Sequence, residues 1–282
     1  MSAARSTTAA PAPVQGDPRR ALFSALLATL VVASWAVLWL WSASPYGRYV
    51  EHAGWGEAGA LAALCRGIPQ GDIVVPIALH ASTWVLMIAA MMLPTTFPLL
   101  AIFRRITGAR PDAGRLLALA VLGFFMAWLA FGVVAHLADA TIHWAAARNG
   151  WFVANGWMVG AAVLAAAGLF QWSALKYRCL EACRTPFGFV LARWHGQSPS
   201  REAFRIGLDH GAFCVGCCCW ALMLTMFVVG VGSVGWMLLL AALMAAEKNL
   251  PMGRRLRTPV GLALLAAATA IVVANTSATY FP

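Results

Sequence analysis

Charged residues are scarce in this sequence. They make up 11% of its 282 residues, whereas apolar residues make up 61%. A soluble domain with that balance would have too little polar surface to cover its core. The composition therefore excludes an ordinary soluble protein and indicates one that is embedded in a membrane.

The common nucleotide and hydrolase motifs are also absent. The sequence contains neither a GxxxxGK[ST] loop nor the DKTGT sequence of metal-pumping ATPases, so the chain is not expected to bind a nucleotide. GxSxG and HExxH are missing too, which removes the commonest hydrolase classes. These absences favour a role other than catalysis.

Seven apolar runs are each long enough to cross a hydrocarbon core, which takes about 20 helical residues. They predict an all-α fold, a polytopic transmembrane bundle of about seven spans that forms one domain over residues 19–282. Residues 1–18 are rich in Ala and Pro and are expected to be a disordered cytoplasmic tail. A cleaved signal peptide is disfavoured because the first run exceeds the usual apolar region of about 7–15 residues. The predicted spans are 21–41, 73–103, 116–136, 157–175, 208–229, 234–250 and 259–274.

The distribution of basic residues predicts the orientation of these spans. With the N-terminus in the cytoplasm, 17 of the 20 basic residues lie inside, and only Arg48, Arg66 and Arg148 lie outside. Such a bias orients helical membrane proteins. The excess positive charge therefore indicates contact with the lipid bilayer and not with nucleic acid.

Four of the seven cysteines fall within six positions of the fifth predicted span, in FCVGCCCWALMLTM. The group consists of Cys214, Cys217, Cys218 and Cys219. Helical spacing places the first three on one face, whereas Cys219 points toward the face of Met223 and Met226. Chance packing rarely puts four thiols so close together, so a functional role is predicted for this group.

Two other segments bring sulfur to a similar depth, in the cytoplasmic half of the membrane. Cys179 and Cys183 share a helix face at the inner end of the fourth span. The second span carries a stripe of side chains, with Pro94 expected to kink the helix just below it. The stripe consists of His80, Trp84, Met87 and Met91, with Met92 beside it. The main prediction is that these three spans converge.

Such a sulfur group faces a reducing compartment, where metal binding or redox chemistry is expected in place of structural disulfides. Thiolates and thioethers favour Cu(I), and thiolates also suit zinc or an iron–sulfur cluster. The methionines make Cu(I) the first choice. The predicted metal ligands are Cys214, Cys217, Cys218, Cys179, Cys183, Met87, Met91 and Met92.

Two further groups of polar side chains have two interpretations each. His136, Asp139 and His143 share a face at the outer end of the third span. They form either a solvated helix end or an entry or exit site for zinc or Cu(II). Glu247 either marks the inner interface or faces the sulfur group. The remaining methionines are expected to fill gaps in the packing. They are Met126, Met158, Met237, Met244 and Met252.

The longest predicted cytoplasmic loop, 176–207, has room for one short element. Its FGFVLARW sequence predicts an amphipathic helix at the membrane interface. Arg184 and Arg193 are then expected near lipid headgroups.

Three stretches together resemble a bacterial family of predicted metal-binding integral membrane proteins, some of which are described as copper-related. The stretches are WVLMIAAMMLP, AGLFQWSALKYRCLEACRTP, and LDHGAFCVGCCCWALMLTMFVVGVGSVGW followed by AEKNLP. The resemblance covers about residues 84–251 and implies an all-helical fold in the inner membrane and metal binding. It places the family motifs on Met87, Met91, Met92 and Pro94, on Cys179 and Cys183, and on Cys214, Cys217 and Cys218. Cys219, Ser173 and Ala174 depart from the family pattern, and GVGSVGW lacks the methionine-polar step expected there.

Several functions remain open at this point. The first is a protein that binds, delivers or transports Cu(I), with a metal donor or acceptor protein as partner. The second is a membrane thiol–disulfide oxidoreductase, for which Cys214 and Cys217 form a CxxC pair. Non-catalytic alternatives are a transporter and an assembly subunit of a membrane metalloenzyme.

Overall fold

The computed structural model describes residues 18–43, 74–216, 220–229 and 233–280. Every regular element in those ranges is a helix, which confirms the all-α prediction. The helices are α1 Pro18–Ser42, α2 Val74–Met91, α3 Leu93–Thr107, α4 Ala113–Ala147, α5 Gly150–Ala154, α6 Trp157–Phe170, α7 Ala174–Arg184, α8 Pro186–Leu191, α9 Pro199–Cys214, α10 Trp220–Val229, α11 Val234–Asn249 and α12 Arg257–Tyr280. A 3-10 helix, Pro251–Leu256, joins α11 to α12.

Three helical segments of the described chain are long and apolar enough to cross a membrane. They are Ala25–Ser42, Ala113–Ala135 and Pro251–Ser277. Two bent helix pairs, α2 with α3 and α6 with α7, raise the number to five if each pair is one span. The described residues therefore give three to five candidate spans where the sequence predicts seven. Predicted spans 208–229 and 234–250 fall on the shorter helices α9, α10 and α11, and part of the former lies outside the described residues.

The second predicted span bends by 64° where α2 meets α3. The cause is the proline that the sequence indicates. Pro94 has no N–H, so it cannot donate to the carbonyl of Ala90 one helical turn earlier. The indole Nε1 of Trp35, on α1, donates to that carbonyl at 3.2 Å instead. The predicted kink is confirmed, and a side chain from another helix satisfies the carbonyl that it leaves open.

Helices α4 and α9 approach each other closely, and small residues make this contact possible. A Cβ added at Gly207 would lie 1.8 Å from the carbonyl oxygen of Ala120. One added at Gly123 would lie 2.2 Å from the carbonyl oxygen of Phe204. Close backbone approach at glycines is typical of helix packing in membranes. This contact holds the end of α9, and with it Cys214, against α4.

The predicted loop over residues 176–207 is largely wrong. Helices α7, α8 and the start of α9 occupy most of it, because their apolar side chains pack into the protein core. The predicted interfacial helix corresponds to α8. Arg184 donates to the backbone oxygen of Glu247, and Arg193 pairs with Asp209 at 2.9 Å. Both arginines thus bind groups of the protein itself.

Candidate metal centre

The three predicted methionine ligands lie at the end of α2, just before the bend. Met87, Met91 and Met92 are all buried in the largest apolar core of the protein. The bend turns α3 away from them, and the hydroxyls of Thr95 and Thr96 donate to the Met92 carbonyl at 2.7 and 3.1 Å. These contacts satisfy the Met92 carbonyl and fix the backbone beside the thioethers.

Cys214 ends α9 and is fully buried in the same core. The ammonium of Lys248, on α11, donates to its Sγ at 2.8 Å. The same ammonium donates to Thr95 Oγ1, on α3, at 3.0 Å. Lys248 therefore joins the predicted cysteine ligand to the helix that begins at the methionine bend.

Cys179 reaches this region from α7. A second bend, of 63°, separates α6 from α7 and redirects the chain toward α9. Ser173 caps the new helix by accepting a hydrogen bond from the Lys176 amide at 3.1 Å. The buried Cys179 packs against the backbone of Gly216, where an added Cβ would lie 3.3 Å from its Sγ. The smallest residue of the α9 end thus lets this thiol approach closely.

Cys183, one turn further along α7, is half-buried and packs against the edge of the same core. The two α7 cysteines therefore differ in depth: Cys179 is inside and Cys183 is nearer the surface.

One apolar core therefore contains five of the eight predicted ligands, brought there by three separate chain segments. Met223 and Met226, on α10, and Met237 and Met244, on α11, are buried in the same core. Met237 and Met244 are predicted from the sequence to fill gaps in the packing. No motif around them on α11 predicts that they lie in the same core as the proposed ligands. The predicted ligands in the core are Met87, Met91, Met92, Cys179 and Cys214.

A buried ion pair lies beside the sulfur-containing core. Lys176 and Glu247 are both 0% exposed, and the Lys176 ammonium contacts the two carboxylate oxygens at 2.8 and 2.9 Å. The Gln171 side-chain oxygen accepts a third hydrogen bond from the same ammonium. Glu247 is therefore a buried group of the protein and not a solvent-exposed one, whichever of its two interpretations holds. Its carboxylate faces Lys176. Glu247 directly precedes Lys248 in the chain, so the partner of one buried lysine is the chain neighbour of the other.

The sequence interpretation counts Lys176 and Lys248 among the basic residues of the cytoplasmic side, where lysine is usually exposed. Both are buried, Lys248 with 4% of its surface exposed. The composition could have drawn attention to these two residues, because 18 of the 20 basic residues are arginine and these two are the only lysines. Lysine shifts between partners more easily than arginine does, because its point charge sits on a flexible stem.

Several predicted site residues cannot be placed. Cys217, Cys218 and Cys219 lie outside the described residues, as do Cys65 and the 1–17 part of the predicted tail. His80, His136, Asp139 and His143 lie on described helices, but their side chains are outside the description. Within the part of the chain that is described, no three His, Cys, Asp or Glu side chains are grouped closely enough to hold a metal ion. The described part of the centre thus consists of three thiols, those of Cys179, Cys183 and Cys214, and several thioethers.

The comparisons with known proteins bear on these residues directly. A family model described as PpoB2, copper chaperone, matches residues 81–271. This range includes all eight predicted ligands and both buried lysines. No curated protein matches the chain, and no solved structure does.

Proposed function

The chain belongs to the PpoB2 copper chaperone family, and on that basis we propose that it binds Cu(I) inside a membrane and delivers it to an acceptor protein. The observation that carries this proposal is the shared core of Met87, Met91, Met92, Cys179 and Cys214. These residues come from three separate parts of the chain, α2, α7 and α9. Their sequence patterns predict that they lie at the same depth in the membrane.

The chemistry of this donor set selects the metal. Neutral thioethers and thiolates are soft donors that suit Cu(I), whereas zinc prefers thiolate, imidazole or carboxylate. Methionine thioethers have little affinity for zinc or for the iron of a cluster, so the three methionines of α2 favour copper over both. The proposed ligand set is Cys214, Cys217, Cys218, Cys179, Cys183, Met87, Met91 and Met92.

Delivery requires only ligand exchange, which needs no catalytic group. A half-buried thiol such as Cys183 can pass Cu(I) between the surface and the buried Cys179. Each transfer forms one copper–sulfur bond while another breaks, and copper stays in the Cu(I) state. The proposed activity is therefore that of a chaperone and not that of an enzyme.

We place this activity in the inner membrane of a bacterium, with seven spans and the N-terminus in the cytoplasm. Three to five candidate spans and large exposed apolar side chains on α1, α4 and α12 support a lipid environment. The distribution of basic residues supports the orientation. A site in the buried core would also keep water away from bound Cu(I).

Substitution of individual ligands tests the proposal. Cys214→Ser and Met91→Leu should each weaken Cu(I) binding, measured by competition with a Cu(I) chelator in detergent. The loss should reach at least the roughly 10–100-fold that removal of an outer-shell partner costs a metal site. Met158→Leu is the matched control, because Met158 is exposed on α6. Equal affinities in all three variants would contradict the site.

A further inference from the structure

The Lys248 side chain lies where the proposed function places copper. Its ammonium donates to Cys214 Sγ at 2.8 Å, and the side chain is buried in the protein. The other lysine, Lys176, has a carboxylate partner in Glu247. Lys248 thus brings a positive charge to a sulfur atom that is also a proposed ligand of a cation.

An ammonium and Cu(I) cannot share that sulfur without cost. Both carry one positive charge, and repulsion between like charges is strong where water is excluded. The Nζ–H group also occupies one of the sulfur lone pairs, so Cu(I) and Lys248 compete for Cys214.

A second acceptor lies within reach of the displaced ammonium. Thr95 Oγ1 already accepts from Lys248 Nζ at 3.0 Å, and it donates to the carbonyl of Met92 at 2.7 Å. The ammonium can leave Cys214 and keep this hydrogen bond, so displacement does not leave it without a partner. A flexible lysine stem suits such a move better than the rigid fork of arginine.

We propose that Lys248 gates the copper site: it occupies Cys214 in the metal-free protein, moves toward Thr95 when Cu(I) binds, and returns when Cu(I) leaves. This proposal rests on the proposed function. In the exchange, Cys214 reacts as a thiolate and releases no proton: its hydrogen bond from the ammonium breaks, the bond from copper to its donor breaks, and one copper–sulfur bond to Cys214 forms. No electron is transferred, and the ammonium keeps its protons.

The gate makes copper binding weaker and release easier than the sulfur ligands alone would. Removing the ammonium should therefore tighten binding, which a merely structural role for Lys248 would not do. Removing the second acceptor should have the opposite effect, because Lys248 then holds Cys214 more persistently.

Two variants and one matched control test the gate, each measured as the Cu(I) dissociation constant of the full chain in detergent. Lys248→Leu should bind Cu(I) about tenfold more tightly, since it removes the competing charge without adding a sulfur ligand. Thr95→Val should bind it more weakly. Thr96→Val should match the unaltered protein, because Thr96 is equally buried and donates to the same Met92 carbonyl.

The outcomes separate the gate from the copper site itself. Opposite shifts in Lys248→Leu and Thr95→Val, with Thr96→Val unchanged, support the gate. If Lys248→Leu does not fold, weaker binding in Thr95→Val than in Thr96→Val still supports the gate, and equal binding overturns it. Copper binding that is unchanged or weaker in Lys248→Leu, with Thr95→Val equal to Thr96→Val, overturns the gate alone. An unaltered protein that binds no Cu(I) overturns the proposed function and the gate together.

Discussion

The Lys176–Glu247 pair is a buried charge pair in a chain with few charges. Burying two ions costs several kcal/mol each in lost hydration, which their attraction and hydrogen bonds must offset. Here the ammonium contacts both carboxylate oxygens and the Gln171 side chain. Such a pair joins α7 to α11 and thereby fixes Cys179 relative to Lys248.

Removing one member of this pair should destabilise the protein strongly. Lys176→Met leaves the Glu247 carboxylate buried without its cation, and such losses are worth about 3–5 kcal/mol. Thermal unfolding in detergent should show a large drop in midpoint. The double variant Lys176→Met, Glu247→Met should recover much of that loss, because two apolar side chains replace two ions. A single variant as stable as the unaltered protein would contradict this account of the pair.

Glu202 is the polar residue whose titration has the clearest structural consequence. It lies in the first turn of α9, outside the predicted spans, and its carboxylate accepts four backbone N–H groups of the preceding loop. The pKa of Glu202 is lowered to about 2, chiefly by the hydrogen bond from the Ser198 amide. The amides of His195, Gly196 and Gln197 add to the effect.

The loop before α9 should therefore loosen only in acid. A lowered pKa means that the stabilisation is complete above the ordinary value of 4.5 and is lost as the pH falls toward 2. Hydrogen exchange of the four loop amides, corrected for intrinsic rates, should lose protection across that interval. Glu202→Gln should show low protection at neutral pH already. Equal protection in the two proteins at pH 7 would exclude the carboxylate as the anchor of the loop.

At the scale of elements, the contact of α4 with α9 depends on glycine. Gly207 faces the Ala120 backbone so closely that a methyl group cannot fit unless a helix moves. Gly207→Ala should destabilise the protein by about 1–3 kcal/mol or more, as overpacked cores do. Gly114→Ala is the matched control, because an added Cβ there meets no atom within 4 Å. Thermal unfolding of the two variants in the same detergent should differ clearly; similar midpoints would mean that α4 and α9 are less tightly packed.

The bends show which parts of the fold the sequence can predict. Pro94 predicts the first bend, because loss of an N–H is a local property of one residue. The second bend, after Phe170, has no proline at the break, and it depends on the Ser173 cap and on the Gln171 contact to Lys176. Glu247 of α11 also accepts from this Lys176 ammonium, and that pair exists only once α7 and α11 are packed together, so the sequence pattern does not reveal it.

The candidate site likewise has features that the local sequence predicts and features that depend on contacts between helices. Burial and spacing within single helices predict the methionine stripe and the α7 cysteines, because apolar and thiol side chains follow helical periodicity. The positions of Lys176 and Lys248 depend on partners on other helices, and a lone lysine near a helix end is more often a surface cation. Their burial therefore could not be predicted from local pattern, and the predicted loop over 176–207 was wrong for the same reason.

At the scale of the whole molecule, the account makes copper binding a property of the assembled bundle. The ligands come from three segments separated by up to 131 positions in the chain, from Met87 to Cys218. Conditions that unfold the bundle should therefore release the metal, and copper should stabilise the folded protein by mass action.

X-ray absorption of the detergent-purified protein loaded with Cu(I) tests the central claim most directly, because it reports both the oxidation state and the neighbouring atoms. The account predicts copper as Cu(I) with sulfur neighbours only, a signal that Cys214→Ser and Met91→Leu alter and Met158→Leu preserves. Copper bound by nitrogen or oxygen, or a sulfur signal that all three variants leave unchanged, would contradict the proposed site.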